Sequence, residues 1–186
     1  MIAVPYTGSS QTDIEMSNVR PPLQSLDEQV ESRVQAIRAD RDWWPCRRGC
    51  DYCCRHLAQA PNLSPAEWER VDAAVAALPI PIQAMVQQRI EALLEQVVEQ
   101  GPGSTVVCPY LDEQEGACRI YDSRPLACRT YGFFVTRDHN QYCEQIETEV
   151  NNRREEAIVW GNAEAIRHDL NRMSGIPIPF EQHYDH

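Results

Sequence analysis

Four cysteines, Cys46, Cys50, Cys53 and Cys54, fall within nine residues of this chain. Packing does not ask for that density. A free cysteine packs like a small apolar side chain, and its reactivity usually decides whether it is kept. Thiolates are soft donors that suit zinc and iron–sulfur clusters. Cys50-x-x-Cys53 lets two sulfurs from one turn reach one ion or one cluster. Gly49 relaxes the backbone where that loop must turn. Cys46 adds a donor from just upstream. Cys54 is different, because adjacent residues tend to point apart. Cys53 and Cys54 therefore suit different irons of one cluster, or two sites, better than one mononuclear ion.

A second group supplies Cys108, Cys118 and Cys128 at ten-residue intervals, then Cys143, which has the weakest spacing. Eight thiols suffice for two four-cysteine sites, or for one cluster plus spare thiols. Arg47, Arg48, Arg124 and Arg129 lie beside cysteines, where their charge would offset that of several thiolates and favour ionisation. Bland readings hold elsewhere. His56 and His139 read as ordinary polar residues, and His183 and His186 as part of a tail. Trp43 and Trp44 read as a dry shield for the cysteine loop.

The elements that must position these groups are mostly helical. Val30, Val34 and Ile37 recur at helical spacing after a capping-box pattern at Ser25 and Glu28, which predicts a helix from Ser25 to about Asp40. Ser64-Pro65-Ala66-Glu67 is a second capping box, followed by an apolar face of Trp68, Val71, Val75 and Leu78. Pro79 and Pro81 end that helix. Ile82, Val86, Ile90, Leu93 and Val97 form the next, which Gly101-Pro102-Gly103 terminates. The pair reads as a helical hairpin at about 64–100, between the two cysteine groups. Arg119-Ile120-Tyr121 reads as a short strand pairing with the segment before Cys108. Ser123 is placed to cap a short helix through Pro125 to Cys128. Phe133 to Val135 reads as a brief strand or buried turn, and Ile146 to Met173 as helical with a break or a new cap at Gly161-Asn162. Gly175, Pro177 and Pro179 should end the order.

The expected architecture is mostly α: a small helical domain with a cysteine-rich metal or cluster core and at most a short β-hairpin. Residues 1–24 read as a mobile N-terminal arm, 25–175 as a single domain and 176–186 as a tail. The chain has 186 residues, enough for one core. Its net charge of −11 argues against nucleic acid as a main partner and against anionic membrane surfaces. No protein partner can be named. Met1 to Tyr6 lack a basic start and an apolar run, so no signal peptide is read. The expected location is the reducing cytoplasm, where eight cysteines are more often metal ligands or redox thiols than disulfides.

The runs Cys50-Asp51-Tyr52-Cys53-Cys54, Cys108-Pro109-Tyr110-Leu111 and Cys118-Arg119-Ile120-Tyr121-Asp122-Ser123-Arg124-Pro125-Leu126-Ala127-Cys128-Arg129 carry a resemblance. They resemble the YkgJ-like cysteine-cluster family, described as zinc- or iron-chelating. Its pattern is C-x2-C-x2-C-C, then C-P/I-x-L, then C-x-I-Y-x-x-R-P-x-x-C-R, with a further Cys downstream. Cys46-x3-Cys50 is one residue longer than the first step. The resemblance implies Cys50, Cys53, Cys54, Cys108, Cys118 and Cys128 as ligands, followed by Cys46 and Cys143. It gives Arg124-Pro125 the orienting of the Cys128 helix, and Arg129 and Tyr121 supporting roles.

The family is also similar to the cysteine region of a flagellin lysine N-methylase. No glycine-rich strand–turn–helix fingerprint for a methyl donor is present, so that reading rests on analogy. The sequence thus supports a metal- or iron–sulfur-binding protein whose two cysteine segments share a site. The alternatives are a metal- or cluster-dependent enzyme, with an open coordination position and a pocket beside Cys50 to Cys54 lined by Arg129, Tyr131 or His56, and a metal-handling or interaction module.

Overall fold

The computed structural model describes residues 23–100, 105–138 and 143–185. The expected arm therefore lies almost wholly outside the described residues, as do Gly101-Pro102-Gly103, His139 and His186. Helix α1 (Leu23–Arg38) buries Leu26, Val30, Val34 and Ile37, a stripe at helical spacing. It is already helical at Leu23, so Ser25 does not cap it. The Ser25 hydroxyl is buried with no hydrogen-bond partner among the described residues. Asp40, at φ 64°, turns the chain away in the left-handed conformation that Asp tolerates.

Helix α2 (Tyr52–Arg55) is a single turn, and strand β1 (Asn62–Leu63) leads into helix α3 (Pro65–Ala76). The capping box at α3 forms as expected. The Glu67 carboxylate accepts from the Ser64 backbone N–H at 3.0 Å and from its hydroxyl at 2.8 Å. Helix α4 (Ile80–Gln100) packs on α3, burying Val86, Ile90 and Leu93.

Strands β2 (Leu111–Asp112) and β3 (Ala117–Cys118) form a tight hairpin. This corrects the expected register: the strand ends before Ile120 and pairs with the segment after Cys108. The turn explains it. Asp112 Oδ1 accepts from the N–H groups of Gln114 and Glu115, and Gly116 takes φ +61°. The segment before Cys108 pairs elsewhere, through a Leu57–Val106 bridge. Tyr121–Ser123 forms a 3-10 turn, so Pro125, not Ser123, immediately precedes helix α5 (Leu126–Thr130).

Strand β4 (Phe134–Val135) is buried as expected. The region expected as one broken helix is two: α6 (Glu144–Arg153), then strand β5 (Gly161–Asn162) and α7 (Ala163–Ser174). Asn162 caps α7 through its side-chain oxygen, which accepts from Ala165 N–H at 3.0 Å. Order does not end at Gly175. Strand β6 (Ile178–Pro179) pairs antiparallel with β1, and helix α8 (Phe180–Tyr184) follows. Phe180 is fully buried and packs with Trp68 and Tyr184, which holds this segment in place. His183 stacks on Trp68 at 4.1 Å and reaches Asp72 at 3.1 Å, so it is not a loose tail residue.

The mostly-α reading holds: among the described residues there are eight helices and three two-residue strand pairings. Beyond the hairpin, β1–β6 and the parallel β4–β5 pair join segments distant in sequence. None of the described helices is long and apolar enough to cross a membrane. The buried side chains form two clusters. One gathers α3, α4, the β2–β3 hairpin and Phe180. The other gathers α1, Trp44, Leu126, Phe133, Phe134 and parts of α6 and α7.

Candidate metal centre

The first cysteine group sits on the seam between these clusters. Cys54 packs against the α3–α4 cluster, while Cys46 and Tyr52 pack against the α1 cluster. Gly49, at φ +94°, supplies the turn that the loop requires, and Cys50 N–H closes it on Arg47 O at 2.9 Å. A Cβ on Gly116 would lie 3.3 Å from Gly49 O, so the hairpin turn rests directly on the cysteine loop.

The second group returns to the first. Leu57 and Val106 exchange backbone hydrogen bonds of 3.1 and 2.8 Å, and Cys108 N–H donates to Cys54 O at 2.7 Å. That short ladder sets Cys108 beside Cys54, close enough for the two thiols to influence each other. Cys118 lies on β3, opposite Leu111. Cys128 lies on α5. Cys143 is buried immediately before α6. That helix is drawn onto the loop by Tyr52, whose hydroxyl reaches Glu144 at 2.6 Å, and by Cys50, whose sulfur is 3.8 Å from Gln145 Oε1. Cys46 Sγ lies 3.9 Å from Tyr131 O.

All eight thiols are free. They form one electrostatic neighbourhood with Cys53 at its centre: the Cys46, Cys118, Cys128 and Cys143 thiols each feel it. Burial, with the nearby Cys50 and Cys53, pushes the Cys46 thiol up to about 12. The hydrogen bond to Cys108 is the largest influence raising Cys54, also to about 12. Cys53 is raised chiefly by its hydrogen bond to Cys54. Cys118, Cys128 and Cys143 are raised chiefly by burial. Crowded, desolvated thiols with few compensating charges hold their protons.

Arg124 opposes this at Cys46, Cys53, Cys118 and Cys128, Arg48 at Cys118, and Arg38 at Cys46. Arg124 and Arg48 lie over the Tyr121 ring, at 3.7 and 4.9 Å from its centroid. Arg129 differs from expectation. It pairs with Asp27 at 2.8 Å, and Asp27 also pairs with Arg70 at 2.6 Å, clamping α5 and α3 to α1. His56 stays with its own turn, Nδ1 2.8 Å from Tyr52 O.

Two contributors had no sequence signal for the site. Arg38 donates to Cys46 O and covers Phe133, yet in sequence it is only the last residue of an amphipathic helix. Glu67 reads as a cap and does more. Its second oxygen accepts from Leu126 N–H at 2.8 Å, so a buried carboxylate fixes the start of the helix that carries Cys128.

The donor set fits zinc or an iron–sulfur cluster: thiols only, gathered from two segments and unspent on disulfides. A closed coordination shell is not formed in this structure. Among the described residues, no three His, Cys, Asp or Glu side chains are placed to hold a metal ion.

Fold and site together define a small helical cysteine-cluster domain. Residues 45–147, more than half of the chain, match the family model CxxCxxCC, described as "Putative zinc- or iron-chelating domain". The chain belongs to that family. No curated protein and no solved structure matches.

Proposed function

We propose that the eight cysteines hold zinc or an iron–sulfur cluster in one shared centre, and that this centre fastens the two halves of the fold. The observation that carries the reading is the hydrogen bond from Cys108 N–H to Cys54 O at 2.7 Å, which joins the two cysteine groups. Cys53, Cys54, Cys108, Cys118 and Cys128 would be the inner donors, with Cys46, Cys50 and Cys143 around them. Once bound, the metal would hold the sulfurs as thiolates and, as an iron–sulfur cluster, would also accept and release an electron. Arg124 would balance the charge of four of these sulfurs. Tyr121 steers Arg124 from beneath, and Glu67 holds the Cys128 helix in register. The adjacent Cys53–Cys54 pair and the number of thiols favour a cluster over a single zinc. Eight free cysteines favour a reducing compartment such as the cytoplasm.

Anaerobic purification with visible absorbance, metal analysis and sulfide determination tests the proposal. A brown protein with iron and sulfide supports the cluster. A colourless protein with stoichiometric zinc and no sulfide removes the cluster and keeps the chelating centre. A protein with neither metal after anaerobic purification and reconstitution overturns both.

A catalytic use is the second reading. A cavity reaches Cys46 and Cys128 beside Arg129, but it is not lined by Cys50, Cys53, Cys54, Tyr131 or His56, where the enzyme reading expected its pocket. A redox reading predicts a reversible one-electron wave in protein-film voltammetry, and its absence in iron-loaded protein would remove it.

A further inference from the structure

The cavity beside the thiols has a volume of about 280 Å³. Small-ligand pockets begin near roughly 300 Å³, so it has room for a small ligand and not for a nucleotide-sized one. Its walls carry Arg38 from α1, Arg124 from the turn before α5, and Arg129 from α5. Three guanidiniums around one cavity are notable in a chain of net charge −11.

Two of the three are not committed to acids. Arg129 is paired with Asp27. Arg38 is spent on a backbone carbonyl and an aromatic face. Arg124 is likewise spent on Tyr121 O at 3.0 Å and on its ring. Among the described residues, neither Arg38 nor Arg124 has a carboxylate within ion-pair distance. Each retains N–H donors, because a guanidinium carries five. The wall also holds two acids, Glu31 and Asp122, which limit how much negative charge it can take.

We propose that this cavity binds a small dianion, a dicarboxylate or a phosphate, held between Arg38 and Arg124 next to Cys46 and Cys128. Two guanidiniums from different elements match a doubly charged anion better than a singly charged one, and planar forks favour carboxylate and phosphate. The same positive wall disfavours a bare divalent cation as a visitor. The inference does not require the metal centre, although a bound anion would sit beside it.

The test uses the full chain, kept reduced, with its metal content measured before and after. Isothermal titration with succinate and with inorganic phosphate, both weak chelators, is compared with acetate. Succinate and phosphate should bind more tightly than acetate and weaken as salt rises. Which of the two binds tighter separates a carboxylate from a phosphate source. R38Q and R124Q should each weaken binding by about tenfold, in line with the loss of a charge-assisted hydrogen bond. E31Q changes only an exposed wall acid, should fold normally and should tighten binding several-fold. Absence of binding by both probes, or binding that R38Q, R124Q and E31Q leave unchanged, overturns the proposal. So does a pattern in which R38Q and R124Q alter metal content alone, since the arginines would then serve only the thiolates. Metal content read in the same samples reports the chelating centre separately from the anion.

Discussion

Glu67 is 2% exposed, and its carboxylate serves three donors on two helices. Glu67→Gln places an amide N–H₂ against at least one of them. The substitution should cost about 1–3 kcal/mol, the range for a buried polar group left without its partner. Urea unfolding measures that loss. Because the far oxygen sets the start of α5, metal content should fall as well, which a plain cap would not produce. At the sulfurs themselves, Cys53→Ser and Cys54→Ser should remove most bound metal, because these two thiols are electrostatically coupled to the other cysteines of both groups. Metal analysis after desalting reads the outcome. Retention of the full complement by both variants would contradict a shared centre around α2.

At the level of elements, the short pairings carry more than their length suggests. Gly161 on β5 lies flat against Phe134 on β4, where a Cβ would fall 2.3 Å from the ring. Gly161→Ala should therefore destabilise by about 1–3 kcal/mol, the usual cost of overpacking. Phe180→Ala should cost about 3–5 kcal/mol, because the ring is fully buried under Trp68. A thermal melt of each variant checks these values, and an unshifted midpoint for F180A would return the C-terminal segment to a loose tail.

Which elements could be read in the sequence follows from the same physics. The stripe of α1, the capping box of α3 and the apolar face of α4 are local patterns that tertiary packing did not override. The pairings β1–β6 and β4–β5 are two residues long and depend on distant partners, so no local alternation marks them. Pro177 and Pro179 read as terminators because their neighbours' burial under Trp68 is a tertiary fact. The eight cysteines were visible as a set through spacing and motif. The guanidinium of Arg38 and the far oxygen of Glu67 were not, since nothing in their own segments points at a sulfur.

For the molecule as a whole, two apolar clusters meet at one thiol-lined seam. A ligand that binds only the folded state raises stability by mass action, about 2.7 kcal/mol at a hundredfold excess over its dissociation constant. If the centre fastens the seam, a chelator that strips the metal should lower the melting temperature. It should also spread the single transition into two. Differential scanning calorimetry before and after chelation measures both. A metal-free protein with an unchanged, single transition would make the centre a passenger on the fold.

The order of the chain also gives the seam a timetable. Cys46 to Cys54 leave the ribosome ahead of Cys108, with the whole of α3 and α4 between them. At synthesis rates of about 5–20 residues per second, that interval lasts roughly 3–11 seconds. If the two groups share one centre, four thiols of a nascent chain stand throughout that interval as half a nest with no opposite wall. Any oxidant or stray ion that reaches them then competes with the sulfurs still inside the ribosome. The helical hairpin, which looks like an interruption of the site, sets how long that exposure lasts.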